Sequence, residues 1–172
     1  MTRVTVRALA DRYPGQYHEL AQYADRVAAG SDHEDDIFLD GDTDPMTLRV
    51  MRHFFRGDDG QGLEMVEQQF PNSLTWATEA RDDNEWGWDD GMAAFARGDR
   101  ETGYFILGHI VHLVQDLTVP AHTHLDIHGP PFGDDFENYC FNQMIDGQTS
   151  MLPIPSASAV IPEFDNVQDI WD

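Results

Sequence analysis

The chain has 172 residues, 41% of them hydrophobic, and a formal net charge of −22, with arginine at all ten of its strongly basic positions. That length suits one domain around one core, and no apolar run approaches the roughly 20 residues of a membrane-spanning helix. So acidic a surface repels phosphate backbones and anionic membranes unless bound cations offset it, which argues against nonspecific nucleic-acid binding. The single cysteine, Cys140, excludes an intrachain disulfide and reads as a buried, inert thiol. The opening MTRVTVRALADRYPG carries no apolar h-region and no cleavage site. The expectation is a cytoplasmic protein, an already trimmed one, or a chain whose start is missing.

Nearly every regular segment reads as helix. The first expected helix runs from Pro14 to Gly30, with proline at its start and glycine at its stop. Tyr17, Leu20, Ala24, Val27 and Ala28 trace its apolar face. The acidic GSDHEDDIFLDGDTDP follows as a long loop. Its DGDTDP stretch is no calcium loop, because Pro45 stands where the glycine belongs and Met51 where the last acidic ligand belongs. RGDDGQG is a turn and GLEMVEQQF a short helix. NSLTWATEA and NEWGWDDGMAAFARG are two more helices, the second stopped by Gly98. Asp99 caps a long helix through Leu117, ended by Pro120. GPPFG is a rigid corner, and a last helix begins at Asp134. No period-2 run supports a strand, and no internal repeat is visible. A helical domain over 1–149 is expected, with 150–172, which contains LPIPSASAVIP, as a Pro/Ser-rich extended tail.

Five of the eight histidines fall between His109 and His128. On the long helix, His109, His112 and Asp116 share a narrow stripe with Phe105. The other faces carry Ile106, Leu107, Ile110, Val111, Leu113 and Val114, the pattern of a central, buried helix. Burying an unpaired carboxylate there is costly or shifts its pKa. His112 and Asp116, at i and i+4, can share a metal; a hydrogen-bonded His–Asp pair in the core is the plainer alternative. Beyond Pro120, the loop brings His122, His124 and His128. Three imidazoles beside a His/Asp helix suit zinc, which takes nitrogen and oxygen ligands where cysteine is absent.

Asp134 and Glu137 have capping-box spacing; the other reading turns Glu137 back toward the histidines. Glu34, Asp35 and Asp36 crowd together after a helix end, where a solvated acidic loop is the plain reading. His53, between Arg52 and two phenylalanines, is oddly placed for an exposed imidazole. There is no G-x-S-x-G, H-E-x-x-H, P-loop or G-x-G-x-x-G motif, so nothing supports serine or cysteine nucleophilic catalysis.

HLVQDLTVPAH, followed by DIH and FENY, resembles the zinc-dependent phospholipase C family, which is related to the single-strand-specific zinc nucleases. AAGSDHEDD is similar to that family's acidic ligand segment, RHFFRGDDGQGL to its His-Phe-aromatic turn, and NSLTWATEA to the helix after it. The resemblance runs from about Ala28 to Glu137. It implies an all-α, single-domain multi-helix bundle holding a zinc cluster. Carried over residue by residue, it implies one zinc centre of Asp35, His53, His112 and Asp116, with Asp116 bridging to a neighbouring zinc. A second centre would use His122, His128 and Glu137. In the best-known members the histidine matching His128 lies four residues before the glutamate, where this chain has Gly133; the DxH segment selects His128 instead. Glu34 and Asp36 are the stand-ins for Asp35, and His109 and His124 are at most outer hydrogen-bonding partners.

Relatives hold a third zinc through the mature N-terminal amine, its backbone carbonyl and a histidine shortly after. This chain starts where that histidine would already have passed, and His18 lies too far downstream. The third centre is expected to be absent or incomplete, and the chain, ending at DIWD, reads as a fragment or trimmed domain. The implied activity is hydrolysis of a phosphodiester, a phospholipid or another, with zinc activating water and Asp35 serving as general base as well as ligand. Bound zinc would reconcile an acidic protein with an anionic substrate. Two alternatives stand beside it: a single-strand-specific zinc nuclease, and a non-catalytic metal-binding remnant. Glu137, where the nucleases tend to carry aspartate, and the absence of lysine favour the first reading. Relatives are mostly secreted, so the resemblance implies a secreted or periplasmic protein.

Overall fold

The structure, a computed structural model, describes residues 14–36, 49–65, 67–79, 86–127, 134–145 and 166–171. Helix α1 (Pro14–Gln22) and α2 (Ala24–Glu34) lead to a 3-10 turn at Arg49–Arg52. A hairpin of β1 (Glu64–Met65) and β2 (Gln68–Gln69) follows. Then come α3 (Ser73–Thr78), α4 (Trp88–Ala96), α5 (Arg100–Asp116), α6 (Pro120–Thr123), α7 (Asp135–Ile145) and a last 3-10 turn at Val167–Ile170. The described residues are mostly helical, as expected for an all-α chain. No described helix is long and apolar enough to cross a membrane.

The single helix expected over Pro14–Gly30 is two, broken at Tyr23, and the second runs through Gly30 to Glu34. Gly30 is a crossing point and not a stop. A Cβ there would overlap the Phe105 carbonyl and lie 3.2 Å from Gly108 Cα, and one on Gly108 would lie 2.9 Å from Gly30 Cα. The two glycines let the backbones of α2 and α5 meet, in the most extensive helix pairing among the described residues. Continuing α2 past this crossing carries Glu34 and Asp35 to the α5 histidines.

GLEMVEQQF is an antiparallel hairpin, not a helix, with Glu64 paired to Gln69 and Met65 to Gln68. So short an apolar pattern cannot separate the two by period. Burial decides it: Leu63 and Phe70 are 2% and 3% exposed, and the Phe70 N–H donates to the Leu63 carbonyl at 2.9 Å. Glu67 supplies the left-handed turn residue, with φ 65°.

Other local signals are realised. Arg56 donates twice to Asp59 in the RGDDGQG turn, at 2.9 and 2.6 Å. Asn72 caps α3 through the Thr75 N–H at 2.7 Å, and Asp99 caps α5 through the Thr102 N–H at 3.1 Å. Gly98, at φ 80°, makes the left-handed exit from α4. Pro120 does not terminate α5, which ends at Asp116; it opens α6 as its first residue. Cys140 on α7 is partly rather than fully buried.

Helix α5 is central and packs against α2, α4 and α3. Its Ile110 and Leu113 join Phe55, Trp76, Val167 and Trp171 in the main apolar core. The end of the expected extended tail is therefore core. Trp171 is 6% exposed, and its indole N–H donates to Ser73 Oγ at 3.0 Å. Val167, Ile170 and Trp171 fall on one face of a turn, which is why this end packs. Residues 150–165, the GPPFG corner and most of the acidic loop lie outside the described residues.

Candidate metal centre

Five separate elements deliver side chains to one cavity of about 230 Å³. Asp35 follows the last residue of α2, His53 follows the 3-10 turn, and His112 and Asp116 sit one turn apart on α5. His122 comes from α6 and Glu137 from α7. His53 and His122 are locked together by backbone as well as rings. The Phe55 N–H donates to the His122 carbonyl at 3.2 Å, and His122 Nδ1 lies 3.3 Å from the His53 carbonyl. Phe54 stacks on the His122 ring, centroids 5.0 Å apart. The odd setting of His53 between arginine and phenylalanines is thus burial: it is 2% exposed.

The polar atoms converge. Asp116 Oδ2 lies 2.9 Å from His53 Nδ1, 3.3 Å from His122 Nδ1 and 3.4 Å from His112 Nε2. Asp35 Oδ1 lies 3.3 Å from His112 Nε2 and 3.9 Å from His53 Nδ1. A tetrahedral ion with bonds of about 2.0–2.1 Å spaces its ligand atoms about 3.3 Å apart. Despite three nitrogens at that range, Asp116 Oδ2 is buried and none of them meets it with hydrogen-bond geometry. Two groups can hold a metal ion: Asp35, His53 and His112, and His53, Asp116 and His122.

These groups cut across the expected division into two centres. His53 belongs to both, and His122 joins Asp116. The His122 ring has two faces to serve: Nδ1 is turned to Asp116, and Nε2 is 3.6 Å from Glu137 Oε1. One half of the expected capping box is present, the Glu137 N–H donating to Asp134 Oδ1 at 2.7 Å, while the Glu137 carboxylate lies 3.6 Å from His122 Nε2. His128 lies outside the described residues; of the residues expected in the second centre, His122 and Glu137 are described, 3.6 Å apart. His124 is exposed at the end of α6, and His18 is exposed on α1, bonded to Gln22 at 3.2 Å.

The charges of the cluster act strongly on one another. Burial pulls His112 down, but Asp116 and Asp35 outweigh it and push it up to about 11. Burial likewise opposes Asp116 and Glu137 at His122, which rises to about 9. His53 is raised against its burial by Asp116 and Glu34. Burial would raise Asp116, but His112, His122 and His53 hold its carboxyl well below the usual carboxylate range.

Glu34, offered by the sequence only as a stand-in for Asp35, has a different place. Its side chain is 2% exposed, against 64% for Asp35. Oε1 accepts from the Trp76 indole N–H at 2.9 Å, Oε2 is bonded to His109 Nδ1, and Arg49 lies 3.7 Å away. His109 in turn stacks on Trp86, 5.1 Å between centroids and 6° between planes, with Phe105 and His33 against its edges. The sequence signal for Glu34 is its step of one residue, about 100° around α2, which turns it to the core while Asp35 faces the cavity.

Compared with protein-family models, curated proteins and solved structures, the chain matches none.

Proposed function

We propose that the chain is a zinc-dependent hydrolase of phosphodiesters, similar to the phospholipase C family, with this cavity as its active site. One observation carries the reading: a buried Asp116 oxygen with three imidazole nitrogens within 3.4 Å, none aligned to hydrogen-bond it. Imidazole and carboxylate donors without thiolate are a zinc-type set. The cavity also has an apolar side of Val50, Met51, Phe54 and Ile127, which suits a phosphodiester bearing an apolar group.

Bound zinc supplies Lewis acidity and positive charge toward an anionic phosphodiester. The chain's own groups divide the remaining work. Asp116, buried and flanked by three imidazoles, holds the cluster together and stays ionised. Asp35 is the exposed carboxylate at the cavity, and it accepts the proton of the attacking water. Glu137 and His122 close the opposite side.

Zinc per chain, measured by elemental analysis on protein purified without chelator, is the first test, and about two are expected. No zinc, even after it is added back and the excess removed, overturns the proposal. Turnover of a chromogenic phosphocholine ester supports the phosphodiesterase. Cleavage of single-stranded DNA alone would replace it with a nuclease, and zinc without turnover on either would leave a metal-binding protein.

A further inference from the structure

We infer that Glu34 is a positioning residue for the metal centre: its buried carboxylate fixes the tautomer and ring orientation of His53. This rests on the metal-binding reading above. His53 turns Nδ1 to the cavity, 2.9 Å from Asp116 and 3.9 Å from Asp35. The opposite edge of the ring, Nε2, is buried, makes no hydrogen bond among the described residues, and has Glu34 Oε1 at 3.5 Å.

An imidazole that gives its Nδ1 lone pair to a metal must carry its proton on Nε2. A buried N–H needs an acceptor, and Glu34 is the carboxylate on that side. Asp35, the next residue along, stands beyond the Nδ1 edge and cannot serve.

Glu34 is fit to aim a ligand because it is itself clamped from three elements: Trp76 on α3, His109 on α5 and Arg49 on the 3-10 turn. A carboxylate behind a ligating histidine sets ring orientation and raises ligand basicity. Losing such a partner typically costs about 10–100-fold in metal affinity. The Gly30–Gly108 crossing is what brings the carboxylate there, so a close backbone approach serves the site.

The test is zinc affinity by chelator competition for the wild type and Glu34→Gln, with the visible spectrum of the cobalt(II)-loaded proteins. Glutamine keeps the shape and an acceptor oxygen but removes the charge. The expected result is about a 10-fold loss of zinc affinity with a shifted cobalt spectrum, and a larger loss for Glu34→Ala. Trp171→Phe, which loses the bond to Ser73 away from the cavity, is the comparator: it should lower the melting temperature and leave both metal readouts unchanged. Should the Glu34 variants not fold, ¹⁵N NMR of zinc-loaded wild type decides, with His53 expected to be protonated at Nε2. Wild-type affinity and spectrum in Glu34→Gln, or zinc on Nε2 of His53, overturns the inference while metal binding stands. A wild type that binds no zinc overturns the metal-binding reading itself.

Discussion

His109 and His112 lie one turn apart on α5, the first buried and the second partly buried beside other rings, and the protein treats them in opposite ways. His109 is lowered by burial, which the Glu34 bond only partly offsets, and Arg49 and His112 lower it further. His112 is pushed up to about 11, because Asp116 and Asp35 together outweigh its burial. The carboxylate beside His109 is already shared with Trp76 and Arg49, whereas those beside His112 face a cavity. His109 is thus a neutral donor from Nδ1 to Glu34, stacked on Trp86. Burial of a histidine does not make a site; what matters is how many carboxylates converge on it and how far other partners have claimed them.

The sharpest way to break this contrast is Asp116→Asn. It removes the charge that His53, His112 and His122 share, so zinc affinity should fall by at least about 100-fold, beyond the usual effect of outer partners. The helix should survive, because α5 is held by its apolar faces against α2 and α4. Unchanged zinc stoichiometry with unchanged circular dichroism would remove Asp116 from the centre.

The protonation states give the next effect. His112 at about 11 and His122 at about 9 carry protons in the metal-free protein at neutral pH, so binding zinc must expel them. Titration calorimetry in buffers of different ionisation enthalpy should show that release, and zinc affinity should rise with pH. The same shifts set the stability of the chelated protein. Both histidines are raised above their ordinary 6.5, so their contribution is complete below that pH and is lost as pH climbs through their folded values. Asp116 is depressed below its ordinary 3.8, so its contribution is complete above that pH and is lost as pH falls through its folded value. A melting temperature that stays flat from about pH 6 to about pH 10 in chelated protein would count against the coupling.

Gly30→Ala tests the crossing that brings the two histidines to their carboxylates. The added methyl would overlap the Phe105 carbonyl, backbone that cannot swing away. Overpacking of this kind costs about 1–3 kcal/mol, or about 2–4 °C in melting temperature per kcal/mol at this size. Because α2 carries both Glu34 and Asp35, zinc affinity should fall along with stability. A stable variant with full affinity would show that α2 and α5 do not need this contact.

What the sequence made legible was local. The i, i+4 pair His112–Asp116, the proline before His122 and the Asp134 cap ahead of Glu137 are spacings read within a few residues, and the structure draws those side chains to one cavity. What it hid was set by partners far along the chain. Gly30 looks like a helix stop until Gly108 is seen against it. Glu34 looks like one of three surface acids until Trp76 and His109 are found at its oxygens. The GLEMVEQQF hairpin and the packed turn at Val167–Ile170 are hidden for the same reason, since burial of Leu63, Phe70 and Trp171 outranks local pattern.

The smallest effect is expected where the same substitution is made at the two histidines. Asparagine places an N–H close to where imidazole Nδ1–H stands, so His109→Asn can still donate to Glu34. It loses the stack on Trp86, worth about 1 kcal/mol, and little else, because Nε2 of His109 has no hydrogen-bond partner among the described residues. Zinc affinity should therefore stay within about threefold of wild type, below the roughly 10-fold at which outer partners begin to register. At His112 the cavity-facing atom is Nε2, which asparagine cannot replace, so His112→Asn should cost far more zinc affinity at a similar cost in stability. Chelator competition and thermal melts on the pair read both quantities. Equal losses of zinc from the two variants would erase the distinction between a histidine that holds the fold and one that holds the metal.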